Sequence, residues 1–310
     1  MYKPQFELNF RIVNLLSTIE RFYGSLTSEK LIPSLALELS SENKILATHY
    51  STSIEGNPLS KMDVTNIILG DIVPVTKSQR EVTNYFRTLN RLFILAREQR
   101  KISNSLLVDL HKSLMDKILK KGAGEIRNSG VFVGHANRQE GLVVKHNPPY
   151  HTREEIKQAL NEIFEYVLKQ DDIHPLIKAG ILHHEVAYIH PFLDGNGRIA
   201  RLLTAYYLLL KQYEIIKYFI IDDYYDVDRF LYSDSLHSAD GKDKTAWLEY
   251  FLEGIAYSLQ AAQARIKLLS DRTRDLLGEK RVLVTNREEE VLRIILDKKA
   301  IKTSDVQNVL

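Results

Sequence analysis

The chain contains no cysteine in its 310 residues. That excludes a disulfide framework, thiolate zinc sites, iron–sulfur clusters and a catalytic thiol. Chain breakers are scarce as well. The 14 glycines and 8 prolines make up about 7% of the residues, against about 12% in an average protein. With so few turn-formers, and with many Leu, Ile, Glu and Lys, the composition predicts a mostly helical protein. An excess of one charge sign is also missing, since 42 Lys and Arg stand against 40 Asp and Glu. A net charge of +2 argues against a strongly basic nucleic-acid coat and an acidic disordered tail. The longest apolar runs, such as 202–210, are about half of the ~20 residues that a membrane span needs. Residues 1–10 are polar and include Pro4, unlike the apolar core of a secretory leader. The expectation is a cytoplasmic protein with no membrane partner, long enough for about two domains.

What is present is helical periodicity. Leu8, Ile12, Leu15, Leu16 and Ile19 recur at three- and four-residue spacing, predicting a helix that ends near Gly24. A second helix is expected over about 34–55, stopped by Gly56-Asn57-Pro58, a glycine followed by a proline. Others are expected near 77–98, 103–119, 153–169, 175–188, 197–212, 226–237 and 244–270. Strand patterning is confined to 131–135 and 142–145 around a turn-like 136–141, which reads as a hairpin, and to a weak run at 218–221. Two short amphipathic segments within 285–310 resemble the first half of a winged helix, with Thr303-Ser304-Asp305 as N-cap candidates for the second.

The residues able to do chemistry concentrate in His190-Pro191-Phe192-Leu193-Asp194-Gly195-Asn196-Gly197-Arg198-Ile199-Ala200-Arg201. A glycine-rich turn feeding a helix leaves backbone N–H groups free at a positive dipole end, a cradle for phosphate. Arg198 and Arg201 lie three apart on one helix face. Cations at a helix N-terminus oppose the dipole, so their position makes sense with a phosphate between them. Asp194 can hold a divalent cation, and His190 can accept a hydroxyl proton near neutral pH. Taken singly, each residue has a plainer reading: a histidine before proline as a packing residue, Gly-Asn-Gly as loop punctuation, Phe192 as a core anchor. Twelve residues combining a base, a carboxylate, an anion cradle and two arginines are a specific signal.

That segment resembles, position for position, the Fic-domain motif HPFxDGNGRxxR. The similarity extends over about 105–255: His183 stands seven residues before His190, Gly124-Glu125-Ile126-Arg127 precedes the hairpin, and Arg229, Tyr232, Leu236, Trp247 and Phe251 follow the motif. The resemblance implies an all-α Fic core with a β-hairpin flap. It further implies transfer of AMP from ATP to a Ser, Thr or Tyr hydroxyl of a target protein. His190 would be the general base and Asp194 the Mg2+ ligand. Gly195, Asn196 and Gly197 would form the anion hole, and Arg198 and Arg201 would hold the β- and γ-phosphates. Val133 and Gly134, in the flap, would align the target by β-augmentation. Tyr232 and Asp240 fall where the family lines the adenosine pocket, although Ser233 departs from a second tyrosine often found there.

Upstream, Ser51-Thr52-Ser53-Ile54-Glu55-Gly56-Asn57 places Ser51 and Glu55 on one helix face, with Glu55 at a C-terminal end that disfavours negative charge. By itself this is an exposed glutamate beside a capping glycine. Beside the first motif, Ser51, Glu55 and Gly56 resemble the family's inhibitory (S/T)xxxE(G/N) helix, which implies that Glu55 pairs with Arg201 and keeps the ATP γ-phosphate from its productive place. The same glutamate can position water to remove AMP from a target. The expected organisation is therefore 1–104 as an N-terminal helical region, 105–255 as the Fic domain and 256–310 as a helical, partly winged-helix-like segment. Homo-oligomerisation stays open.

Three other classes fit less well. A metal-dependent hydrolase built on His183, His184, Glu185 and His190 lacks the zincin spacing, because Tyr188 stands where HExxH needs its second histidine. A DNA-binding regulator using the C-terminal helices is disfavoured by the near-neutral charge and by the lack of a recognition helix in 285–310. No Walker A lysine follows the glycines, and no kinase signature set is present.

Overall fold

The computed structural model describes residues 2–28, 33–137, 141–169, 172–213, 220–241 and 243–277. Among them the elements run α1 (Phe10–Ser28), α2 (Pro33–Ile54), α3 (Lys61–Leu69), α4 (Lys77–Arg97), α5 (Asn104–Leu114), β1 (Val133–Asn137), β2 (Gly141–His146), α6 (Arg153–Leu168), α7 (Pro175–Ile189), α8 (Asn196–Leu210), α9 (Asp222–Val227), α10 (Arg229–Ser238) and α11 (Thr245–Leu277). Helix starts follow side-chain chemistry. Ser60, Thr76 and Thr152 each close a capping box, which satisfies two orphan donors at once.

Several elements differ from the periodicity, and among them α5 stops at Leu114 rather than near 119 and α11 runs to Leu277 rather than 270. Helix α1 continues past Gly24 to Ser28, because Gly24 does not take the left-handed conformation that ends a helix at glycine. Helix α3 carries too short an apolar pattern to stand out, and its local signal is the Ser60–Asp63 capping box with left-handed Gly70 behind it. The helix expected over 226–237 is two helices, broken at Asp228, whose carboxylate accepts the Leu231 N–H at 2.9 Å and restarts the chain as α10. Ile220 and Ile221 form no strand. Residues 218–219 and the winged-helix-like segment 285–310 lie outside the described residues.

One hydrophobic core extends from Ile12 in α1 to Ile266 in α11. Its centre is α7, buried along nearly its whole length and packed by α6, α8 and α11. A helix buried on every side belongs in the interior, and here Lys178, His183, His184 and Glu185 are buried with it. Helix α11 passes 255–256 without a break and packs on both α1 and α7. Gly180 permits its close approach: a Cβ there would lie 2.7 Å from Leu248 Cδ2 and 3.0 Å from Phe251 Cδ1, and the buried Trp247 indole donates to the Gly180 carbonyl at 2.8 Å. The hairpin is antiparallel, with Ala136 opposite Leu142 and an irregularity between Val133 and Gly134. No helix among the described residues is long and apolar enough to cross a membrane.

Replacing Gly180 by valine is expected to destabilise the fold by about 2 kcal/mol, the scale of overpacking in a filled core. A urea denaturation midpoint as high as that of the wild type would contradict the assigned α7–α11 contact.

Candidate active site

The site is built where α7 stops. His190 takes the left-handed conformation (φ 51°, ψ 63°) as the α7 C-cap, and Pro191 prevents continuation. A helix end leaves carbonyls without intrahelical partners, yet here five consecutive ones are satisfied. The Ala187 carbonyl receives His190 Nδ1–H at 3.3 Å, and that of Tyr188 receives His146 Nε2–H at 2.9 Å. Arg127 donates to the next three: from Nη2 to Ile189 at 3.1 Å, from Nε to His190 at 2.7 Å, and from its backbone N–H to Pro191 at 3.0 Å. A cation at this helix end is also favoured by the dipole.

Since His190 Nδ1 donates to a carbonyl, its Nε2 carries the free lone pair. Burial pushes this imidazole down to about 4, reinforced by the charges of His146 and Arg127 and opposed by Glu55 and the Ala187 hydrogen bond. At neutral pH it is an unprotonated base.

The turn into α8 is held from both sides. Asn196 Oδ1 accepts the Phe192 N–H at 2.9 Å and its Nδ2 donates to the Phe192 carbonyl at 2.8 Å. The asparagine side chain is thus a staple, and only its backbone N–H faces the helix end. His111 from α5 stacks on Phe192 (centroids 3.6 Å apart, planes within 3°) and donates to the Asp194 carbonyl at 2.9 Å. Gly195 is left-handed at φ 82°, and a Cβ there would meet Met115 Sδ at 2.9 Å. No side chain caps the α8 N-terminus.

The two arginines differ. Arg198 is buried, with Nε and Nη1 lacking hydrogen-bond partners, although Glu81 Oε1 stands 3.5 Å from Nη1 and Asp194 Oδ1 3.4 Å from Nη2. Arg201 is committed: Nε donates to Ser51 Oγ at 2.7 Å, and Nη2 donates to the Ser51 carbonyl at 2.9 Å and to Glu55 Oε1 at 2.8 Å. Asp222, at the start of α9, lies 3.2 Å from Arg201 Nε. Burial would raise the Glu55 carboxyl, but Arg201 and Arg198 hold it below the usual carboxylate range. Asp222 goes the other way, pushed up to about 6 by burial despite Arg201. A Cβ at Gly197 would collide with Glu55 Oε1, so this glycine admits the glutamate to the α8 terminus. Gly56, left-handed at φ 84°, turns the chain directly after it.

The orphaned Arg198 donors and the uncapped helix fit an anion. Asp194 fits a hard divalent cation such as Mg2+: Oδ1 takes the Gly195 N–H at 2.6 Å, and Oδ2 has no hydrogen bond among the described residues. Val133 and Gly134 begin β1, whose sheet has two strands among the described residues. Tyr232 is buried, its hydroxyl 2.8 Å from His183 Nε2. Asp240 is engaged by three imidazoles, those of His146, His184 and His237. The sequence reading did not single out Glu81, Asp222, His111 and His146. Each comes from a distant element, and no local pattern marks them.

Fold and site together define the class, a helical protein whose ionisable side chains gather at the loop between two buried helices. Residues 101–208 match the family model described as Fic/DOC family, and the chain carries a Fic domain. A relative named protein adenylyltransferase fic-1, from Caenorhabditis elegans, is 26% identical over 258 residues, covering 81% of this chain and 46% of that protein. Protein adenylyltransferase Fic from Nematostella vectensis is 27% identical over 186 residues, covering 57% and 41%. The chain thus spans under half the length of these curated relatives. A Fic family protein from Desulfovibrio desulfuricans G20 superposes with a TM-score of 0.72 at 24% identity, covering 99% of this chain and 86% of that one. Residues 134–508 of Fic-1 from C. elegans superpose with a TM-score of 0.68 at 21% identity, covering 83% and 72%. These likenesses establish the helical fold.

Burial lowers five imidazoles, those of His49, His111, His174, His183 and His190. An imidazole kept neutral in the fold stabilises above its unfolded pKa of about 6.5, and that contribution is lost as pH falls toward the folded value. The raised carboxyls of Asp222 and Asp223 act oppositely over part of this window, but they are two against five. The urea midpoint is expected to decline steadily from pH 6.5 to pH 4.5. A midpoint constant over that range would contradict the neutral imidazoles.

Proposed function

We propose that this protein transfers AMP from ATP to a hydroxyl side chain of a target protein and is held in an inhibited state by Glu55. The observation that carries the reading is the contrast between the arginines. Arg198 has buried donors without hydrogen bonds beside an uncapped helix N-terminus, while Arg201, one turn further on, is occupied by Ser51 and Glu55. A triphosphate needs both cations, and one is withheld.

In this reading the α- and β-phosphates lie against the N–H groups of 195–197, and Arg198 takes the phosphate beyond them. Asp194 would hold Mg2+, which supplies charge neutralisation across the phosphates. His190 Nε2 removes the hydroxyl proton of the target as that oxygen bonds to the α-phosphorus, the α–β phosphoanhydride bond breaks and pyrophosphate leaves. Its alignment by the carbonyl bond at Nδ1 and its neutral form at pH 7 suit a general base. The target chain would add as a strand to the open edge at Val133 and Gly134, where backbone pairing gives register without fixing side-chain identity. Tyr232 and Asp240 have their polar atoms committed within the protein, so they would shape the adenosine wall rather than donate to it. The relatives named protein adenylyltransferase support the reaction class.

Glu55→Gly is expected to raise labelling of protein by radioactive ATP and Mg2+ about tenfold to a hundredfold. That is the scale of one charge-assisted hydrogen bond of about 1.5–3 kcal/mol. Equal labelling of wild type and variant would sink the inhibitory role. His190→Ala should cost about 100-fold or more in transfer while leaving ATP binding intact, and unchanged transfer would exclude it as the base. For Glu55→Gly, kcat/KM for the target should keep its acid limb below pH 6, since the free base titrates near 4.

A further inference from the structure

Two imidazoles that take no part in the proton transfer above converge. His146, the last residue of β2, and His237, in the final turn of α10, stack with centroids 4.9 Å apart and planes within 16°. Both present Nδ1 to the same oxygen, Asp240 Oδ2, at 2.6 and 3.1 Å respectively. One ligand atom from each of His146, His237 and Asp240 lies within 4.8 Å of the others. Two donors aimed at one carboxylate oxygen are more than an ion pair needs, and the donor set is that of a borderline metal, two nitrogens and one oxygen.

The surroundings are those of a metal site. A ligating imidazole usually donates its other N–H to a carbonyl or carboxylate, and a ligating carboxylate is itself hydrogen-bonded. His146 Nε2–H donates to the Tyr188 carbonyl at 2.9 Å, which leaves Nδ1 as the ligand atom. Asp240 Oδ1 stands 3.2 Å from Nε2 of His184, and that fully buried ring is fixed on its other side by Glu185 Oε1 at 3.1 Å. His146 itself is only 4% exposed.

We infer that His146 Nδ1, His237 Nδ1 and Asp240 form a binding site for a late first-row divalent cation of the Zn2+ type. It is separate from the Asp194 position, and it adjoins the proposed site through Asp240 and His146. Tetrahedral ligands at about 2.0 Å from an ion stand about 3.3 Å apart, so the two Nδ1–Oδ2 separations of 2.6 and 3.1 Å open by less than 1 Å to admit one. Each Nδ1 must release the proton it now shares with the carboxylate. The ion takes the place of those protons, and affinity rises with pH. Bound there, it ties the base of the hairpin to α10, with the His146 ring 6.3 Å from that of His190.

The test is titration of the full chain, stripped with chelator, with Zn2+ alone against a chromophoric competitor at pH 7.5 and pH 6.0. One ion per chain is expected, bound more weakly at the lower pH. His237→Asn, which can still hydrogen-bond Asp240, should weaken binding about tenfold or more, while Asp194→Asn should leave it unchanged. X-ray absorption on the zinc-loaded wild type reads the site without any variant and should show two imidazole ligands. Lack of stoichiometric uptake, a His237→Asn affinity equal to wild type, loss of binding in Asp194→Asn, or absorption without imidazole scattering would each overturn the assignment.

Discussion

A guanidinium taken out of water must find anions or acceptors, because an unpaired buried charge costs several kcal/mol. Arg201, whose side chain is 2% exposed, imposes that requirement on the rest of this molecule. Its partners come from two other helices: Ser51 at the end of α2 with Glu55 just beyond it, and Asp222 at the start of α9. The N-terminal helices are therefore docked onto α8 through one side chain as well as through the apolar core. The pair also settles a local conflict. Glu55 stands at a helix C-terminus, where negative charge is unfavourable, and Arg201 supplies the compensating cation. Because Asp222 also faces Arg201, removing Glu55 does not leave the guanidinium wholly unpaired, so the fold tolerates its loss.

The second constraint is the end of α7. A buried helix terminus without partners would be unstable, and the chain meets it with Arg127, His146 and His190 itself. The same bonds that satisfy these carbonyls orient the His190 imidazole, select its tautomer and join the hairpin to the loop. Asn196 and His111 then fix the turn that follows. One set of hydrogen bonds serves both the helix end and the imidazole, so changes to the scaffold residues would reach His190 directly.

Much of this was legible in the sequence because it is local. The dodecamer 190–201 carries its own turn, cap and charges. The four-residue spacing of Ser51 and Glu55 shows which face they share, and the resemblance to the Fic family assigns a partner to that face. What lay hidden is long-range. Nothing near Glu81, Asp222 or His111 announces that they meet the α8 turn, since each is brought there by helix packing. Asn196 illustrates a subtler gap: the sequence suggests an anion hole, whereas the side chain is turned inward to staple Phe192 and only backbone remains for a ligand. The convergence of His146, His184 and His237 on Asp240 joins residues up to 94 positions apart in a 310-residue chain, and no spacing rule would collect them.

The central claim is that Glu55 and a γ-phosphate compete for Arg201. The most direct measurement is the ratio of ATP to ADP affinity, determined calorimetrically for wild type and Glu55→Gly, each with Arg201 and with Arg201→Ala. The account predicts that Glu55→Gly increases the preference for ATP about tenfold when Arg201 is present and leaves it unchanged when Arg201 is absent. An equal gain in both backgrounds, or no gain in either, would contradict it.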